Sequence, residues 1–246
     1  MGKTIVVTSG KGGTGKTTTV GAVASCLAAL GHKTLCLDCD VGLKNLDITL
    51  GLSSFPVADF ADVIRGDAVL EDACTEHPEI QNLWYLGAPS ELAPEEIDAG
   101  GMAALMDEIR AKFDFCLIDS PAGIGAGFRL ATQAADMAIV VCTGDMSSMR
   151  DGQKVVSALA AGGTPDIRLL VNRVRRKLFK KVMSTVDDII DTVGARLIGI
   201  VGEDADVIIA ANKEMPLVLY TDKGSAEQFL RVALRLTGEN IPLKRL

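Results

Sequence analysis

Lys16 and Thr17 close a glycine-rich run, Ser9-Gly10-Lys11-Gly12-Gly13-Thr14-Gly15-Lys16-Thr17-Thr18, which spells G-x-x-x-x-G-K-[ST] from Gly10 to Thr17. Phosphate binding is the chemistry that this spacing serves. Glycines let the backbone enter conformations closed to other residues, so successive N–H groups between Gly10 and Thr18 can point into one concavity and hold a polyphosphate. Lys16 is placed to reach the β- and γ-phosphates, and the Thr17 hydroxyl to ligate Mg²⁺, the ion that neutralises charge during phosphoryl transfer. A second site residue lies far away in the chain. Asp119 ends the apolar run Phe115-Cys116-Leu117-Ile118, which is the Walker B position, where an acid holds Mg²⁺, usually through water. The Pro121 and Gly123 that follow form a loop able to sense the γ-phosphate.

The elements that must position these groups alternate in type along the chain. Thr4 to Thr8 reads as a strand and Val20 to Leu30 as a helix starting near Lys16, so the loop has the strand–turn–helix context that a phosphate loop needs, with the helix dipole added. Strands are predicted over Lys33–Asp38, Leu83–Leu86, Phe113–Asp119, Met137–Cys142, Ile167–Asn172 and Leu197–Val201. Helices are predicted over Ala58–Ile64, Pro94–Asp98, Gly101–Lys112, the segment ending near Ala135, Ser147–Ala161, Leu178–Val193, Asp204–Asn212 and Ser225–Leu236. A βα alternation with continuous apolar strands predicts an α/β fold: a mostly parallel twisted sheet with helices on both faces. Ligands of such sheets sit outside the carboxyl ends of the strands. Those ends carry the phosphate loop, Asp38 and Asp40, Asp119 and Asn172, so all should converge on one site.

Composition narrows the class. The 246 residues suit one α/β domain, taken here as residues 1–246, with neither linker nor repeat to divide them. A net charge of −7 argues against non-specific nucleic-acid binding by the body of the protein. The six cysteines fall mostly in or beside apolar patterns, as reduced core thiols do, and Cys36-Leu37-Asp38-Cys39 lacks a second pair or a nearby His to complete a metal set. No apolar run reaches the roughly 20 residues of a membrane span, and none near the start resembles a secretory signal. The expected location is cytoplasmic, at most peripheral on a membrane.

Lys11 inside the loop gives Lys-Gly-Gly-Thr-Gly-Lys-Thr, the deviant Walker A pattern, and the chain resembles ATPases of the MinD/ParA family over about residues 3 to 238. The resemblance implies a face-to-face dimer with ATP held between subunits, in which Lys11 contacts the phosphates bound by the opposite subunit. It implies that Asp40 positions or activates the attacking water and stands near the metal, with Asp38 as a helper; the segment Asp40-Val41-Gly42-Leu43-Lys44-Asn45-Leu46-Asp47 is closer to the MinD pattern than to that of partition ATPases. Asn45 and Asp47 are candidates for contacts across the dimer. Asn172 stands where the family recognises adenine by a side-chain amide, which offers both a donor and an acceptor. Gly202-Glu203-Asp204 matches the second base-side loop, with Gly202 where Pro is usual, and Ser147 to Asp151 resembles the helix start that faces the dimer partner and its regulators.

The implied function is a Mg·ATP-dependent spatial regulator that places the division septum with a MinC-like inhibitor and a MinE-like or equivalent activator. A flagellar-number or other polar-positioning ATPase and a ParA-type DNA-partition ATPase are the alternatives, the latter disfavoured by the acidic balance. An iron–sulfur scaffold ATPase would need a cysteine pair after Cys142, where the chain has none. Two surface features stay open. Arg173, Arg175, Arg176, Lys177, Lys180 and Lys181 form a basic cluster that is read as a solvated helix face. The tail Asn240-Ile241-Pro242-Leu243-Lys244-Arg245-Leu246 is basic and apolar but too short for two helical turns, which leaves at most a weak contact with anionic membrane.

Overall fold

Ile5, Val6 and Val7 are fully buried. Their strand, β1 (Lys3–Thr8), runs through the middle of the sheet, parallel to β5 (Phe115–Asp119) on one edge and to β6 (Met137–Cys142) on the other. Successive side chains of a strand point to opposite faces, and here both faces are covered: Ile5 and Val7 enter one apolar layer, Val6 the other. This is a computed structural model, and it describes residues 1–41, 45–55, 58–133, 135–175 and 185–243.

The remaining strands are β2 (Thr34–Asp38), β3 (Thr75–Glu76), β4 (Leu83–Leu86), β7 (Ile167–Val174) and β8 (Arg196–Gly202). They make an eight-stranded sheet in the order β3-β4-β2-β5-β1-β6-β7-β8, in which only the short edge strand β3 runs antiparallel. The chain leaves β1 for β2 on one side and passes from β5 to β6 on the other, so the carboxyl ends of β1, β5 and β6 frame a crevice where the winding reverses. One face is packed by α1 (Lys16–Ala29), α2 (Leu46–Leu50), α9 (Ala205–Asn212), α10 (Leu217–Tyr220) and α11 (Ser225–Leu236). The other is packed by α3 (Phe60–Arg65), α4 (Leu70–Ala73), α5 (Ala99–Lys112), α6 (Ala126–Thr132), α7 (Met146–Ala161) and α8 (Val186–Val193). The expected parallel sheet with two helical layers is what the chain forms.

Local chemistry sets the ends of these elements. Asp59 and Asp62 form a reciprocal capping box at the start of α3, and Gly66, in the left-handed region, stops it. Asp98 caps α5 by accepting from the Gly101 N–H at 2.6 Å, so that helix begins at Ala99. The segment predicted as helix from Pro94 forms only a 3₁₀ turn, Pro94–Glu96, before this cap. Four short elements, α2, α4, α10 and β3, escape the sequence pattern because five residues or fewer are too few to show a period. The cysteine pair separates as alternation requires: Cys36 joins one apolar layer and Cys39 the other, and both are free thiols. Among the described residues, no helix is long and apolar enough to cross a membrane. Gly42 to Lys44, most of the basic cluster from Arg176 to Lys181, and the tail from Lys244 to Leu246 lie outside the described residues.

Candidate active site at the carboxyl ends of the strands

The phosphate-loop sequence makes the turn between β1 and α1. Gly13 and Gly15 adopt φ of +77° and +94°, which a side chain would strain. Gly10 is required for another reason. A Cβ there would sit 2.6 Å from the backbone carbonyl oxygen of Asp151, so the loop lies directly on α7. Gly12 has neither a positive φ nor a close neighbour, which corrects the expectation that all four glycines serve backbone freedom. Lys16, first residue of α1, is nearly buried; desolvation lowers its pKa, against the pull of the nearby Asp119 and Asp40 charges.

The acids of the site come from neighbouring strands and the residues that follow them. Asp38 and Asp119 stand opposite each other in the β2–β5 register. The Thr17 hydroxyl donates to Asp119 Oδ2 at 2.6 Å, while Asp119 Oδ1 is buried without a partner. Burial pushes the Asp119 pKa up to about 7, with Thr17 and Lys16 opposing the rise. Asp38 is fully buried; one carboxylate oxygen accepts the Asp40 N–H at 2.9 Å and the other has no partner. Desolvation, then the Asp119 charge, push the Asp38 pKa up to about 8. Asp40 is half-buried, and its own rise through burial is countered by Lys16. Among the described residues, no three His, Cys, Asp or Glu side chains form a metal cage. A nucleotide-bound Mg²⁺ needs none, because it takes one or two protein ligands and completes its shell with water and phosphate oxygens. The Thr17 hydroxyl beside the unpartnered, buried Asp119 Oδ1 fits that donor set.

Two cavities flank the loop. The larger, about 550 Å³, is lined by Gly15, Lys16, Thr17, Thr18 and Asn172 and continues past Asn45 to Val207 and Ile208 of α9. The smaller, about 400 Å³, lies between Lys11–Thr14 and Thr143–Asp145. Gly13, Arg173 and Glu203 line both. Lys11 points towards α7, where its ammonium donates to Asp145 Oδ1 at 3.0 Å and to Ser147 Oγ at 3.3 Å. Asp145 also caps α7 by accepting the Ser148 N–H; partial burial raises its pKa, but the hydrogen bond from the Thr143 hydroxyl, then those from Lys11 and the Ser148 N–H, hold it down at about 2.

The structure thus brings Lys11, Lys16, Thr17, Thr18, Asp40, Asp119 and Asn172 to one end of the sheet. Asn172 lines the larger cavity, but Nδ2 of its amide donates to the Thr14 carbonyl at 2.9 Å and Oδ1 accepts the Arg173 N–H, so reading a base would require it to release one of these bonds. Asp47 lies in α2 and is turned to the Ile48 N–H. Arg173 and Arg175 correct the reading of a basic helix face. Arg173 belongs to β7, and both arginines pair with Glu203 after β8. Asp145 as the partner of Lys11 escaped the sequence, since 134 residues separate the two. An acid just ahead of Met146-Ser147-Ser148, at the helix start, was the available signal.

Comparison with known proteins identifies the family of the chain. The model of the CobQ/CobB/MinD/ParA nucleotide binding domain matches residues 5–217. The septum site-determining protein MinD of Synechocystis is 41% identical over 245 residues, spanning 98% of this chain and 92% of that protein. MinD of Escherichia coli is 35% identical over 254 residues, spanning 99% and 94%. Among solved structures, the MinC:MinD cell division complex of Aquifex aeolicus matches with a TM-score of 0.92 at 36% identity, covering 99% of this chain and 98% of that one. MinD of Pyrococcus horikoshii complexed with Mg-ADP matches at 0.84 with 29% identity, covering 96% of each. Likeness that runs through every strand bearing the site, and nearly from end to end, means that this chain belongs to the MinD branch of the CobQ/CobB/MinD/ParA family of nucleotide-binding ATPases.

Proposed function

We propose that residues 1–246 work as one Mg·ATP-dependent, dimerising ATPase domain that regulates septum placement, with a MinC-like inhibitor and a MinE-like or equivalent activator as partners. The observation that carries this reading is the joint presence, on one loop, of Lys16-Thr17 beside Asp119 and of a second lysine, Lys11, turned to the outer side against α7. In this reading the loop amides from Gly10 to Thr18 and the Lys16 ammonium bind the phosphates. The Thr17 hydroxyl and Asp119 hold Mg²⁺, which supplies neutralisation of the charge developing on the phosphate oxygens. The Asp40 carboxylate stands near the metal and accepts a hydrogen bond from the attacking water, orienting it in line with the γ-phosphorus. Asn172 offers its amide to adenine, and Lys11 leaves Asp145 and Ser147 to meet the phosphates of the partner subunit.

The location that goes with this function is cytoplasmic, with peripheral contact at the inner face of the cell membrane through the weakly basic tail from Asn240. Dimerisation would double a weak lipid affinity into a useful one, so that contact should depend on ATP. The test measures ATP turnover, sedimentation with ATP or ADP, and pelleting with anionic vesicles for the chain and for Lys11→Ala. The expected result is Mg²⁺-dependent hydrolysis and an ATP-dependent dimer that pellets with vesicles. Lys11→Ala should still bind ATP but stay monomeric and in the supernatant. A Lys11→Ala protein that dimerises normally with ATP removes the cross-subunit role, and a chain without ATP turnover removes the enzyme.

A further inference from the structure

The end of β7 departs from regular strand geometry at one point. Its pairing with β8 shifts register between Val171 and Val174, and Arg173 there has φ of +56°, in the left-handed region that arginine seldom enters. In a regular strand, neighbouring side chains point to opposite faces. Here the irregularity lets both neighbours act on the same loop. Asn172 Nδ2 donates to the carbonyl of Thr14 at 2.9 Å, and Arg173 Nη1 donates to the carbonyl of Gly13 at 2.9 Å. The guanidinium is held in that pose by Glu203, which Nη2 meets at 3.1 Å and which Arg175 grips from the other side.

A trans peptide is planar, with its C=O and N–H on opposite sides. A donor that fixes the Gly13 carbonyl therefore sends the Thr14 N–H the other way, and a donor that fixes the Thr14 carbonyl does the same for Gly15. Among the described residues, neither of these N–H groups has a protein acceptor. The Thr14 hydroxyl is likewise buried and unpartnered. Two consecutive amides and a hydroxyl are thus held free in the turn before α1, as an anion nest requires. The proposal rests on the nucleotide-binding reading above and deepens it. We propose that Arg173 is a positioning residue: with Asn172 it pins the peptide planes of the phosphate loop from outside and so pre-organises the loop for the polyphosphate, whatever base is attached. Electrostatic sites of this kind owe their strength to dipoles already aligned before the ligand arrives.

The test compares ATP, inorganic tripolyphosphate and adenosine as ligands, by calorimetry, for the intact chain, Arg173→Ala and Arg173→Gly. Loss of the pin should weaken ATP and tripolyphosphate by the same factor, on the order of tenfold, and leave adenosine unchanged. Arg173→Gly adds a reading that a merely structural role would not give. Glycine relaxes the left-handed backbone, so its Tm should hold or rise while phosphate affinity falls. It also serves if Arg173→Ala fails to fold. Unchanged tripolyphosphate affinity in the variants overturns the proposal, and loss confined to ATP or adenosine assigns Arg173 to the base instead. If the intact chain binds neither ATP nor tripolyphosphate, the nucleotide reading itself fails.

Discussion

Asp40, just after β2, and Asp119, at the end of β5, both raise the pKa of Lys16, yet their surroundings assign them different work. Asp119 is buried, hydrogen-bonded to a hydroxyl and left with one free oxygen, which suits an acid that waits for a cation. Asp40 is only half-buried, and its N–H, anchored on Asp38, fixes where its carboxylate projects. A carboxylate that is held but still reached by water can orient a nucleophile, and removing it should spare ground-state binding. Asp40→Ala should therefore slow ATP turnover by roughly 10²-fold while ATP affinity changes little, because orientation acts in the transition state. Single-turnover hydrolysis alongside equilibrium binding checks this. Turnover equal to that of the intact chain would take Asp40 out of the chemistry.

At the scale of elements, α7 and the phosphate loop are one structural unit. Gly10 touches the backbone of Asp151, and Asp145 both caps the helix and receives Lys11. The capping bond and the ion pair can be separated by substitution, since asparagine caps as well as aspartate but carries no charge. The pair itself is about half-exposed, so solvent screens it and it adds little to stability. Asp145→Ala should accordingly cost about 1 kcal/mol through the lost cap, and Asp145→Asn only a few tenths. Urea unfolding of the three proteins decides between cap and charge. Equal losses in both variants would mean that the ion pair, and not the cap, holds the helix start.

At the scale of the whole molecule, the sheet gathers more acid than it neutralises. Burial and the charge of Asp119 keep Asp38 largely protonated up to about pH 8, far above its ordinary 3.8. Stability from that raised pKa is fully present below about pH 4 and is lost as pH rises towards 8, on the order of a few kcal/mol. His77 acts in the opposite sense. Its pKa is lowered by burial, though its bond to the Leu50 carbonyl works against this, and its contribution is lost as pH falls below about 6.5. Above pH 6.5 the raised acids remain, Asp119 up to about pH 7 and Asp38 alone beyond that. The Tm of the nucleotide-free protein should fall between pH 6.5 and 8.5, and Asp38→Asn, which keeps an acceptor for the Asp40 N–H, should flatten that fall. Parallel pH profiles for the two proteins would show that Asp38 is not the group responsible.

Much of this molecule is written locally. The glycine spacing, Lys16-Thr17, and an acid at the end of a continuous apolar run each depend on neighbours in the chain, so the loop, the parallel sheet and the converging strand ends were legible from residues and period alone. Even the helix limits at Asp59 and Gly66 follow from side chains that bond their own backbone. What the tertiary structure decided is which long-range partners these groups take. Lys11 meets an aspartate 134 residues away, Gly10 is required by a helix that the sequence places far off, and Asn172 and Arg173 turn together onto the phosphate loop. That last arrangement needs a register shift between two strands and a left-handed arginine. Neither has a local signature, because both lie where β7 pairs with β8, a strand distant in the chain.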